Sequence, residues 1–257
     1  WGAAERQTPL VTSCIDVLIS LLKSVESSED LKVRRLLEQR ILPVIADSTN
    51  LSRESLDPNL TDAGLSLWLR YLYALPEYSE PLHRLGSQLL PLLRCGEDRV
   101  LKIMLILEAY LVLGKVTFLS DHGMVVLNCV RDFATHVKPS CARAITRVLS
   151  LIQVLAPVEG NEIIIPLLPS LVKSTVDHMN NVPGSEIRRV VVQHVYVVSR
   201  AVITAPEKVS LELEKLGVSG YDFVMILVAL FDNVSHNFLL GKVWCWAAFA
   251  LFQQLPL

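Results

Sequence analysis

Three segments of the chain share a proline with large aliphatic residues on both sides: Ile41–Ile45, Leu89–Leu93 and Ile164–Pro169. Pro43 and Pro91 are 48 positions apart, and Pro91 and Pro169 are 78 positions apart, which is close to two units of about 39. Helix pairs that recur about every 40 to 47 residues are typical of HEAT-type solenoids. The spacing therefore predicts a helical repeat protein, with an irregular globular helical domain as the alternative.

Apolar residues along most of the chain recur at three- and four-residue spacing, which indicates helices. The β-branched run Val190–Val192 has strand propensity, but it lies inside such a helical stripe. On the first helix, Leu10, Cys14, Val17, Leu18 and Leu21 share one face. The predicted helices are Pro9–Lys23, Leu31–Asp47, Thr61–Leu75, Glu80–Cys95, Asp98–Gly114, Ser120–Val137, Pro139–Leu155, Asn161–His178, Ser185–Ile203, Tyr221–Val234 and Asn237–Gln254.

The predicted fold class is all-α, a right-handed HEAT-type superhelix of antiparallel helix pairs. Each pair in such an array buries its apolar face against its neighbours, and the ends need polar caps. We expect one solenoid segment over residues 1–257, with about five helix pairs and a trailing helix. The chain begins at Trp1 and ends at Leu257 without an initiator methionine or a polar tail, so we interpret it as a fragment of a longer chain.

The last predicted helix has no capping helix after it, so we expect it to expose an apolar face and to cause self-association. The residues that predict this face are Phe238, Leu239, Val243, Trp244, Ala247, Leu251 and Phe252.

The composition excludes several classes of protein. Of 257 residues, 51% are hydrophobic and 19% are charged, which argues against intrinsic disorder. A net charge of −2 and a pI near 6.3 argue against direct nucleic-acid binding. The mean hydropathy of +0.42 raises the question of membrane insertion. Of the two most apolar stretches, Val100–Gly114 contains Lys102 and Glu108, and Val224–Phe231 is too short. We therefore predict no membrane insertion.

The sequence offers no catalytic motif and no cofactor site. Five cysteines without a CxxC pair indicate a reducing compartment instead of a disulfide framework. His122 and Cys129 could share a helix face, but two ligands do not complete a tetrahedral metal site. Cys245 lies between two tryptophans and is interpreted as a small buried hydrophobic residue. We therefore predict no enzyme activity, no cofactor and no metal.

Basic residues cluster on and near the helix predicted from Pro139. Arg143 and Arg147 share its polar face. If equivalent faces of successive repeats align, the basic residues would form a strip for an acidic partner, although an ordinary solvated face is the alternative. The candidate contact residues are Arg131, Lys138, Arg143, Arg147, Arg188 and Arg189.

Three stretches carry a resemblance to a known family: Leu56–Trp68 (LDPNLTDAGLSLW), Leu89–Leu93 (LLPLL) and Leu101–Gly114. Over about Ser48–Val137 the chain resembles the middle-to-late repeats of the importin-beta (karyopherin) superfamily, most closely its importin-eleven branch. Outside this region only HEAT-like periodicity remains. The shared motifs are packing motifs, so they carry no contact residues over to this chain.

The resemblance implies a nuclear transport receptor that binds protein cargo, contacts nuclear pore proteins and releases cargo on binding GTP-loaded Ran. It also implies residence in the cytoplasm and the nucleus. The alternative is a HEAT-repeat scaffold of another multiprotein complex. An all-helical enzyme is a third possibility, and it would require a deep pocket with convergent acid and base groups.

Overall fold

The computed structural model describes residues 2–25, 31–50, 58–93, 99–131, 139–156, 162, 164–173, 185–231 and 238–253. These residues are almost entirely helical, and none of them forms a strand. The predicted all-α repeat fold is therefore confirmed. The chain divides into two compact units, Trp1–Val126 and Leu127–Leu257.

Eleven α-helices are found in the described residues: α1 Gly2–Val25, α2 Leu31–Ser48, α3 Pro58–Ala74, α4 Glu80–Gly86, α5 Leu89–Leu93, α6 Val100–Arg131, α7 Pro139–Leu155, α8 Ser185–Thr204, α9 Pro206–Lys215, α10 Gly220–Leu230 and α11 Phe238–Phe252. A short 3₁₀ turn spans Ile165–Leu167.

Proline and capping chemistry explain most differences from the predicted helices. Helix α2 continues through Pro43, although proline inside a helix removes one backbone hydrogen bond. The helix predicted from Glu80 is divided into α4 and α5. Pro166 lies in the 3₁₀ turn, since proline removes a donor that a regular helix needs. Helix α9 was missed, although Pro206 occupies its first position and Glu207 and Lys215 complement its dipole.

Helices α3 and α6 of the first unit lie side by side, and their contacts keep a nearly constant separation along the chain. Arg99 donates a hydrogen bond to the carbonyl oxygen of Pro58 at 3.4 Å, across 41 residues. Lys102 Nζ lies 2.6 Å from Asp62 Oδ1, across 40 residues. From the first contact to the second, the residue number increases on both helices, so the two helices run parallel.

A buried chain of hydrogen bonds continues this register. The indole N–H of Trp68 in α3 donates to Tyr110 Oη in α6 at 3.2 Å, across 42 residues. Tyr110 Oη then donates to the carbonyl oxygen of Leu82 in α4 at 2.9 Å. Parallel helices stacked at a separation of about 41 residues are the geometry of equivalent helices in successive HEAT-type repeats.

The second unit has a contact of similar separation. Gln153 Nε2 in α7 donates to the carbonyl oxygen of Val197 in α8 at 3.4 Å, across 44 residues. Helix α8 packs on α7, α9 and α11. Its buried side chains include Val191, Val192 and Val195, so two residues of the β-branched run that suggested a strand lie on the inner side of a helix.

Helix α11 matches its predicted exposed apolar face only in part. Trp244, Ala247 and Leu251, which the sequence predicts on that face, are buried. Phe238 and Phe252 are exposed as expected. The predicted face is therefore divided between the inner and outer sides of the helix, and the self-association expected from it stays a prediction.

Helix α6 contains a break where the sequence predicts one. Lys115 has φ 46° and ψ −129°, which interrupts the helical backbone. By length and composition the segment Val100–Gly123 could cross a membrane, but 56% of its most apolar stretch is buried. The part before the break, residues 100–114, is shorter than the roughly 20 residues that a spanning helix needs. The segment therefore has the properties of a core helix.

We predict that Gly64→Ala lowers the free energy of unfolding by about 1–3 kcal/mol, because overpacking a tight helix contact forces side chains to shift. A Cβ at Gly64 would lie 2.2 Å from Ser48 Oγ and 2.9 Å from Ser48 Cβ. Urea unfolding followed by circular dichroism measures the change. Gly123→Ala is the matched control, since a Cβ there meets nothing within 4 Å and should stabilise the helix by about 0.5–1 kcal/mol. Equal effects at the two glycines would contradict the prediction.

Candidate functional site

The structure describes only part of the predicted basic strip. Arg143 and Arg147 are exposed on α7, opposite a buried face that includes Cys141, Ile145 and Val148. The two arginines are four residues apart and therefore share a helix face. The backbones of Arg131, Arg188 and Arg189 lie in α6 and α8, but their side chains are outside the described residues, as is the whole of Lys138.

A second candidate site lies in the first unit, beside the break in α6. It is an open cleft of about 650 Å³ between the start of α4 and the residues around the break. Its polar side chains come from three segments: Tyr78 and Ser79 before α4, Glu80 and His83 in α4, and Lys115, Thr117 and Asp121 in α6.

His83 connects the two sides of this cleft. Its Nδ1 lies 2.8 Å from Tyr78 Oη, and its Nε2 lies 3.3 Å from Asp121 Oδ2. A neutral ring with its proton on Nε2 satisfies both contacts, because Nδ1 can accept from the phenol while Nε2–H donates to the carboxylate. The ring also lies against His122, with 4.6 Å between the two ring centroids.

Tyr78, His83 and Asp121 come together in the cleft, which is the kind of polar cluster that an all-helical enzyme would require. However, burial raises the pKa of Tyr78 well above its usual range, and the nearby Asp121 and Glu80 carboxylates raise the pKa further. A phenol with a raised pKa remains protonated and donates a hydrogen bond. These contacts therefore support a structural connection between α4 and α6 and argue against a phenolate nucleophile.

Close packing behind Tyr78 depends on Gly114. A Cβ at Gly114 would lie 2.9 Å from Tyr78 Cζ and 2.8 Å from Phe118 Cβ. The Tyr78 ring makes edge-to-face contacts with Tyr110 and Phe118, with centroid distances of 6.2 and 6.5 Å. Glycine before the break thus allows the aromatic wall of the cleft to form.

Sequence reasoning missed this cleft because its residues come from separate helices and match no spaced motif. The one available signal was Gly114, which marked the end of a helix. The predicted burial of Cys245 is wrong, since its side chain is exposed. The described residues contain no cluster of three metal-ligating side chains, and the side chain of Cys129 lies outside them.

We predict that His122 makes the protein less stable as the pH falls below about 6.5. Burial lowers the pKa of His122 from its ordinary value of 6.5, and the neighbouring His83 lowers it further. The unfolded chain therefore binds a proton at a higher pH than the folded chain does. It follows that stability is lost as the pH falls from about 6.5 through the lower pKa of the folded state.

Thermal unfolding between pH 7.5 and 5 measures this loss. His122→Phe keeps a ring but cannot be protonated, so its melting temperature should fall less over the same interval. Asp222 also has a lowered pKa, caused by hydrogen bonds from Ser219, but its ordinary value of 3.8 places its effect at lower pH. An identical pH profile for the variant and the parent chain would rule out the assigned role of His122.

Comparison with known proteins identifies the family. The family described as "Importin-11-like, TPR repeats" matches residues 10–239. No curated protein and no solved structure matches the chain. The family match covers most of the chain, including α2 to α10 and the stacked helices described above. The chain therefore belongs to the importin-11-like family of helical-repeat proteins.

Proposed function

We propose that this chain is part of an importin-type nuclear transport receptor that binds protein cargo on its helical-repeat surface. The family match over residues 10–239 is the observation that carries the proposal. The stacked helices support it, because repeats of this kind build extended binding surfaces instead of closed active sites.

The proposed mechanism uses the contacts between neighbouring repeats. Equivalent helices are connected by the contact of Trp68 with Tyr110 and by the contacts of Lys102 with Asp62 and Ser66. Small rotations at such contacts add up along a repeat array and change its curvature. We propose that cargo and GTP-loaded Ran favour different curvatures of the complete receptor, so that binding of one releases the other.

The same proposal includes contacts with nuclear pore proteins during passage between the cytoplasm and the nucleus. No residue of this chain is assigned to those contacts or to Ran. In the family that the sequence resembles, the principal Ran-binding repeats lie at the N-terminus, and the residues before Ser48 show no such resemblance. The release step is therefore assigned to the complete receptor.

We expect the complete receptor containing this chain to retain a set of proteins from cell extract and to release that set when Ran loaded with a non-hydrolysable GTP analogue is added. Quantitative mass spectrometry of the bound and released proteins measures the effect. Ran loaded with GDP is the control and should leave the bound set unchanged. Retention that is insensitive to GTP-loaded Ran would favour the non-transport scaffold.

We also propose that Arg143 and Arg147 contact an acidic segment of the partner, together with Arg131, Lys138, Arg188 and Arg189. A fluorescent polyglutamate peptide is a direct probe of this face. Replacing Arg143 and Arg147 by serine should weaken peptide binding by roughly 2- to 30-fold, since each exposed ion pair contributes about 0.2–1 kcal/mol.

Fluorescence anisotropy in low salt measures the peptide affinity, and added salt should weaken binding to the parent chain. The matched control replaces Lys173 and Lys208, which are exposed on other segments of the same unit. An equal loss of peptide affinity in the two double variants would mean that binding depends on the overall charge of the protein, and the proposed basic face would be wrong.

A further inference from the structure

The two parts of α6 on either side of Lys115 differ in burial. Before the break, Ile103 and Leu107 are fully buried, so this part belongs to the core of the first unit. Between residues 116 and 123, all of which the structure describes, Phe118 and Leu119 are buried and the other six residues are partly or fully exposed. Segments with few buried side chains are those in which local opening begins.

Helix α4 contacts both parts of α6, but in different ways. Before the break, Tyr110 Oη donates a buried hydrogen bond to the carbonyl oxygen of Leu82 at 2.9 Å. After the break, His83 Nε2 lies 3.3 Å from Asp121 Oδ2, and the Asp121 side chain is 60% exposed. Polar contacts that water can reach contribute little to stability. Helix α4 is therefore held firmly by the first part of α6 and more weakly by residues 116–123.

His122 lies in the weaker of these two contacts. Its ring lies against the rings of His83 and Phe118, with centroid distances of 4.6 and 5.0 Å. Its Nε2 is buried and has no hydrogen-bond partner among the described residues. A protonated imidazole carries an N–H on both nitrogens, so a proton on His122 would place an unpaired donor in this contact, which is costly. The contact with α4 therefore requires neutral His122.

We infer that Lys115 is the hinge of a proton-sensitive switch, in which residues 116–123 separate from α4 when His122 takes up a proton. The structure shows the closed state. The left-handed conformation of Lys115 (φ 46°) is strained in a residue with a Cβ, so opening also relieves this strain. Residues 100–114 stay packed in the core. The inference does not depend on the proposed transport function.

Two histidines can change their charge between pH 5 and 8 at this contact, His83 and His122. His83 can take up a proton without losing its contacts, because Nε2–H donates to Asp121 in both charge states and Tyr78 Oη can accept from Nδ1–H. His122 is therefore the group that opens the contact. The other charged or titratable groups around it are Glu38 on α2, Glu80 and Arg84 on α4, and Tyr110 and Lys115 on α6.

The direction of the response follows from the surroundings of His122. In the closed state, burial lowers the pKa of His122 and the neighbouring His83 lowers it further, which outweighs the opposite effects of the His83 backbone and the Asp121 carboxylate. In the open state water reaches the ring, and the pKa returns to its ordinary value of 6.5. The open state therefore binds a proton at higher pH, and its population should rise by up to about tenfold for each pH unit below 6.5.

Amide hydrogen exchange, followed residue by residue by NMR and corrected for the pH dependence of the chemical exchange rates, tests this switch. Isolated helices shorter than about 12–15 residues are marginal in water, so residues 116–123 should exchange once they leave α4. At pH 7 their protection factors should be at least about tenfold lower than those of residues 103–111 and should depend less on added urea. Equal protection and equal urea dependence in the two parts of α6 would mean that only global unfolding exposes them, which would overturn the inference.

The pH dependence tests the assigned role of His122. Between pH 7 and 5.5 the protection factors of residues 116–123 should fall by up to about tenfold in the parent chain. His122→Phe and His122→Leu cannot be protonated, so either variant should show no such fall. A fall of the same size in both variants would show that another group drives the opening.

Glycine substitutions test the hinge. Lys115→Gly should raise the protection factors of residues 116–123 by roughly 2- to 30-fold at every pH, because the left-handed conformation strains lysine but not glycine. Val116→Gly is the matched control at the next position, where the side chain is also exposed but the backbone φ is not positive. It should lower the same protection factors by roughly 2- to 5-fold, as glycine does inside a helix. Equal effects at the two positions would rule out Lys115 as the hinge.

Discussion

The buried chain of hydrogen bonds from Trp68 through Tyr110 to Leu82 determines how the helices of the first unit can fit together. One such bond contributes only about 1 kcal/mol to stability, but a buried donor left without its partner costs about 1–3 kcal/mol. Sliding α6 by one turn along α3 would break both bonds and would also move Lys102 away from Asp62. These polar contacts therefore select the register, while the surrounding apolar side chains provide most of the stabilisation.

The break in α6 follows from the same packing. Tyr110 and Phe118 lie on opposite sides of Lys115, yet their rings lie 5.0 Å apart between centroids. Both rings contact Tyr78, which Gly114 accommodates by having no Cβ. The positive φ of Lys115 costs on the order of 1–3 kcal/mol in a non-glycine residue. The aromatic cluster and the contact of His83 with Asp121 offset this cost and hold both parts of α6 against α4.

The elements that were predicted well depend on local chemistry. The proline at the start of α7 and the spacing of its apolar residues predict its bounds correctly, and Gly114 predicts the break in α6. The sequence did not predict which helix faces are buried or which side chains meet in the cleft, because both depend on residues that are far apart in the chain. Leu10, Val17 and Leu21 have a helical pattern that does not reveal which side α3 covers, and these side chains are exposed. The contact of His83 with Asp121 joins residues that are 38 positions apart, so only the packing of α4 on α6 brings them together.

The polar side-chain contacts of the first unit connect helices with one another. In the described residues, the side-chain contacts at separations of about 41 residues connect one helix layer with the next. The cleft beside α6 has polar walls, but its histidine already binds Tyr78 and Asp121. These contacts hold α4 against α6, as the contacts of Trp68 and Lys102 hold α3 against α6.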